Sequence, residues 1–139
     1  MINYPIIIAA SLVFLAFVAH TFVGTREALS TRPRKLQAED DNKAEKIERS
    51  WVQSLCAFHL VTVDLLALTL LLFFLGISDT FSARKEIAMI AAVFFTFWAA
   101  AWFIQLLALN RRPKEYLLLG QWVLWLICAG LIMWGAQSL

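Results

Sequence analysis

Charge is what this chain has least of for its size. Asp, Glu, Lys and Arg make up 16% of 139 residues, whereas 61% are apolar; an average soluble domain is about 25% charged. A soluble domain of this length has no interior large enough to hide that much apolar surface, so lipid must be the solvent. Cysteine is nearly absent too. Cys56 and Cys128 are the only two, both inside apolar runs, where a thiol behaves as a small hydrophobe, and no disulfide is expected. No run is broken in its middle by glycine or proline, which speaks against the discontinuous helices of many transporters. A serine-nucleophile motif, a glycine-rich phosphate loop and HExxH are all missing, so the commonest signatures of enzymatic chemistry are absent. The opening MINYPIIIAASLVFLAF has no basic n-region and no cleavage site. It is expected to remain as a first span, not to act as a signal peptide.

Four apolar runs are present, at about 5–25, 51–77, 87–109 and 117–136. Each reaches the roughly 20 residues that cross ~30 Å of hydrocarbon as a helix, and only a helix satisfies its own backbone there. The expectation is an all-α polytopic membrane protein, a single domain over 1–139 with four transmembrane helices in an antiparallel bundle. Asn3 suits the cap of the first helix and Pro5 its first turn. Residues 26–50 are the only sizeable polar segment, broken at Thr31, Arg32 and Pro33. From Gln37 onward, Glu39 with Lys43 and Glu45 with Arg49 pair at i,i+4, so the second helix should extend two or three turns beyond the membrane before Trp51.

The basic residues set the threading. Loops 26–50 and 110–116 carry Arg26, Arg32, Arg34, Lys35, Lys43, Lys46, Arg49, Arg111, Arg112 and Lys114, whereas the loop between the second and third runs carries only Arg84 and Lys85. Ten against two puts both of these loops in the cytoplasm and both termini on the other side. In a bacterium this describes a multi-pass inner (plasma) membrane protein. The same topology explains the basic residues, and a nucleic-acid partner has no support.

A few polar side chains stand out inside the runs. His20, Gly24 and Glu27 share a face of the first helix at i, i+4 and i+7, continued by Ala9 and Ala16. Val52, Cys56, His59, Val63 and Leu66 form one face of the second helix; Gln53, Leu60, Asp64 and Leu68 form another, turned by about 140°. Trp98, Ala101, Gln105 and Ala108 align on the third, and Gln121 opens the fourth. His20, His59, Gln105 and Gln121 all fall in the cytoplasmic half, with Asp64 one turn deeper, so a polar layer is expected between the helices. The bland role for Gln105 and Gln121 is interhelical hydrogen bonding. An ionised Asp64 is costly at that depth, so it is expected to be protonated, paired or hydrated.

The segment H-x-x-x-G-x-R-E, here His20, Gly24, Arg26 and Glu27, together with aromatic-His-Leu-x-Thr, here Phe58, His59, Leu60 and Thr62, resembles a group of small four-span bacterial inner-membrane proteins. The group often has Trp where this chain has Phe58. The resemblance directs attention to His20, Glu27 and His59 and implies no particular reaction.

The functional expectation is a non-catalytic protein that binds or passes a small solute or ion, or serves as an accessory subunit. It would use His20, Glu27, His59, Asp64, Gln105 and Gln121, in a homo-oligomer or a larger membrane complex. A second reading is a redox or metal protein, with His20 and His59 ligating haem b or joining Cys56 around a soft metal ion. A third is an enzyme on a lipid-like substrate with His20 and Glu27 as an acid–base pair; their spacing, ~10 Å along the helix, speaks against direct contact.

Overall fold

The computed structural model describes residues 2–33, 41–109, 112–118 and 120–139. Among them every regular element is helical: α1 (Tyr4–Ala19), a π-turn (His20–Gly24), α2 (Thr25–Ser30), α3 (Asp41–Ile77), α4 (Arg84–Ala108), α5 (Pro113–Leu118) and α6 (Gln121–Ala136). Among the described residues three continuous helices are long and apolar enough to cross a membrane: Tyr4–Ser30, Asn42–Ile77 and Arg84–Ala108. The expected fourth span, 117–136, is interrupted. Its apolar helix is α6, with 16 residues, or ~24 Å at 1.5 Å per residue. The interruption falls at Gly120, where a Cβ would lie 2.8 Å from the Leu117 carbonyl oxygen. Trp122 then donates its indole N–H to the Tyr116 carbonyl at 2.9 Å, satisfying an acceptor left open by the end of α5.

The chain forms two compact units, Met1–Val13 with Leu68–Leu139, and Phe14–Ala67. In the first, α4 and α6 pack through small residues. Ala88, Ala91, Ala92, Phe95 and Ala99 of α4 are buried, as are Trp125, Cys128, Ala129, Ile132, Gly135 and Ala136 of α6. These sets recur at i, i+3, i+4 and i+7, and alanine at a helix contact lets backbones approach closely. Fully buried Phe95 stacks on Trp125 at 5.8 Å, and Trp98 meets the same indole edge-on at 5.3 Å. The third-helix face expected from Trp98, Ala101, Gln105 and Ala108 is therefore not the packing face: Ala101, Gln105 and Ala108 are exposed.

Asn3 ties the end of this unit together. Its Oδ1 accepts the Ile6 N–H at 3.3 Å, the expected cap. Its Nδ2 donates to the Gly135 carbonyl at 2.9 Å and the Ser138 hydroxyl at 3.1 Å, and its backbone N–H donates to Gly76 O at 2.8 Å. Gly135 and Gly76 are required by this closeness. A Cβ on Gly135 would sit 2.6 Å from both Asn3 Oδ1 and Ile6 Cγ1, and one on Gly76 would sit 2.7 Å from Ile7 Cγ1.

In the second unit, the later half of the first long helix lies antiparallel to the N-terminal part of α3. His20 meets Phe58, Ala28 meets Trp51 through its carbonyl at 3.4 Å, and Arg32 meets Glu48 at 3.4 Å. Arg32 also lies 5.5 Å over the Trp51 ring, a cation–π contact at the rim of the apolar run. α3 begins ten residues ahead of Trp51, about three turns, matching the expected extension. The Glu45–Arg49 pair is present at 2.8 Å and, being exposed, contributes ~0.5 kcal/mol at most. Glu39, Arg34, Lys35 and Arg111 lie outside the described residues.

Candidate functional site

The π-turn is where the chain's most distinctive motif becomes geometry. Over His20–Gly24 the helix widens to i→i+5 bonding, the Thr25 N–H donating to the His20 carbonyl. Such one-turn insertions concentrate at functional positions. Thr21 Oγ1 donates back to the Phe17 carbonyl at 2.8 Å, offering the loosened backbone another partner. His20 lies flat on Phe58, ring centroids 3.8 Å apart and planes 17° off parallel, while its Nε2 reaches the Phe58 carbonyl at 3.1 Å. A carbonyl only accepts, so Nε2 carries the proton. The same carbonyl takes the Thr62 hydroxyl at 3.3 Å. Gly24 completes the seat: a Cβ there would come within 2.8 Å of Phe58 Cζ. His20, Gly24, Phe58 and Thr62 thus form one clamp between two helices.

Glu27 does not join it. One extra residue in the turn rotates everything after it by about 100°, and Glu27 is exposed. Among the described residues no ion pair links it to Arg26, which is exposed as well. The acid–base pairing of His20 with Glu27 is accordingly not formed within this helix.

On α3 the clamp uses a face that runs between the two polar ones. Leu55, Phe58 and Thr62 are half-buried and Leu65 is buried, whereas Gln53, Cys56, His59, Leu60 and Asp64 are all exposed. His59 touches Phe58 edge-on at 5.7 Å. Asp64 lies thirteen residues from both Trp51 and Ile77, ~20 Å from either end of the apolar run, and among the described residues no hydrogen bond or ion pair reaches its carboxylate. A charged residue at a helix centre costs ~2.5–3.5 kcal/mol on insertion scales and normally faces protein or water. Gln105 and Gln121, in the other unit, are also exposed.

No group of three His, Cys, Asp or Glu side chains able to hold a metal occurs among the described residues. His20, whose Nε2 is taken by a carbonyl, and exposed Cys56 are no exception. Both cysteines are free thiols.

Two residues with clear structural work escape a sequence reading. Asn3 reaches far beyond a cap, and only the closeness of Gly135 betrays it. Arg84 reads as a loop cation, yet its Nη2 donates to the Leu75 carbonyl at 2.7 Å and Nη1 pairs with Asp79. A cation at the last turn of α3 is favourable against the helix dipole. Neither the family models, the curated proteins nor the solved structures contain a match to this chain.

Proposed function

We propose that this chain is a non-catalytic accessory subunit of a membrane complex. Its four apolar segments cross a bacterial inner membrane as an antiparallel bundle, both termini lie outside the cytoplasm, and loops 26–50 and 110–116 lie inside. Asp64 carries the reading: a carboxylate halfway along a 27-residue apolar run, exposed and unpaired among the described residues, needs a protein contact that its own unit does not supply. His59 and Gln53 on exposed sides of the same helix add to that need. The clamp around His20 supports a scaffolding role for the motif, since it consumes the imidazole in helix pairing.

Mass spectrometry of the protein extracted gently from its native membrane tests the proposal. The expected spectrum holds this chain with at least one different polypeptide in fixed stoichiometry. A spectrum of monomer alone, or of copies of this chain carrying a haem, overturns it.

A further inference from the structure

We infer that the Asp64 face of α3 docks a transmembrane helix of another protein that carries a Lys or Arg at the middle of its span. This rests on the accessory-subunit reading and names the partner's chemistry. The argument is one of charge complementarity. All twelve Lys and Arg lie outside the apolar interiors; the flanking cations on α3 and beyond are Arg49, fifteen residues before Asp64, and Arg84, twenty after. At ~1.5 Å per helical residue neither reaches the depth of Asp64, and in the sequence the interiors of the other apolar runs hold no Lys or Arg. A second copy threaded the same way has the same lack.

Histidine is the remaining basic group, and the geometry disfavours it. His20 Nε2 is held by the Phe58 carbonyl. His59 sits five residues from Asp64, ~7.5 Å along the helix and about 140° around it. A parallel copy that turns its Asp64 face to a neighbour turns His59 away. A foreign helix with a basic residue at matching depth removes the mismatch, because two opposite charges inside hydrocarbon gain far more from pairing than they do in water. The surroundings suit a helix contact: Leu60 and Val63 flank Asp64 and are two-thirds exposed, and Ala67, one turn on, is small and exposed.

The test uses the full chain in phosphatidylcholine vesicles with a synthetic single-span Leu/Ala helix bearing one central Lys, and a matched helix with Leu in its place. Association is read by energy transfer between labels at their ends. The Lys helix should bind at least about tenfold more tightly, the scale expected of a charge-assisted hydrogen bond. Asp64→Asn should abolish the preference while leaving helicity and the His20–Phe58 contact, followed by near-ultraviolet dichroism, unchanged. Asp64→Lys should transfer the preference to a helix with a central Asp. Equal binding of both probes, or a preference that survives Asp64→Asn, overturns the inference, as does Asp64-dependent self-association that the Lys helix fails to compete. A native complex that persists intact in Asp64→Asn overturns this contact alone and leaves the accessory reading standing.

Discussion

Gly24 and His20 together make the seat of the Phe58 ring. Their i,i+4 spacing puts them on one side of a helix, where the Phe58 ring lies against both. Contact explains the pattern: the Phe58 ring needs a flat partner against its face and no Cβ at its Cζ end. Gly24→Ala forces the Phe58 ring to move, although the stack on His20 pins it. The expected loss is ~1–3 kcal/mol, measured by denaturant titration of the detergent-solubilised protein, and Gly24→Ala with Phe58→Leu should recover most of it. His20→Ala removes one hydrogen bond and the stack together. It should cost ~1–2 kcal/mol, whereas His20→Phe, which keeps the stack, should cost less. The motif histidine that invited a ligand reading is tied to packing. The other, His59, meets the Phe58 ring edge-on and is exposed.

At the scale of elements, the helices were readable and their faces were not. Apolar length alone announces α3 and α4, but in a segment apolar all round no periodicity says which stripe meets a neighbour. The alanines of α4 at 88, 91, 92 and 99 carry no mark that sets them apart from the rest of an apolar segment. Where α1, α3 and α6 meet, Asn3 holds Gly135 and Gly76 at distances no Cβ tolerates. Gly135→Ala should therefore destabilise the protein more than Gly130→Ala, since a Cβ on Gly130 meets nothing within 4 Å; thermal melts of the two variants in detergent check the order. Asn3→Ala should lose ~1–2 kcal/mol through the cap and the link to Gly135. Arg84 illustrates a cap supplied from the next element: Arg84→Met should cost about 1–3 kcal/mol, and Arg84→Lys should restore only part, since one ammonium cannot hold Leu75 O and Asp79 in the same fork geometry.

For the molecule as a whole, threading is the testable quantity. With Cys56 and Cys128 replaced by Ser, a single cysteine introduced at Glu45 should react with a membrane-impermeant maleimide only from the cytoplasmic side. One introduced at Asp79 should react only from the opposite side; the same side for both refutes the alternation. The interrupted fourth segment bears on this as well. A ~24 Å helix reaches across the hydrocarbon only with local thinning or with flanking residues drawn to the interface, and Tyr116 and Trp122 stand at that end, joined by a hydrogen bond.

The sequence by itself determined the solvent, the helical state and the existence of the long apolar elements. These follow from summed transfer free energy and from the demand that backbone groups in lipid bond internally, both properties of a segment alone. It also marked the end of the first long helix, because Pro33 interrupts it locally, but not the break at Gly120. Only the tertiary structure decided that His20 closes a clamp on Phe58, that Glu27 turns away after a π-turn, and that α3 packs through a third face, leaving Asp64 exposed. Those outcomes depend on which surfaces fit one another within ångströms, and composition and spacing carry no record of shape.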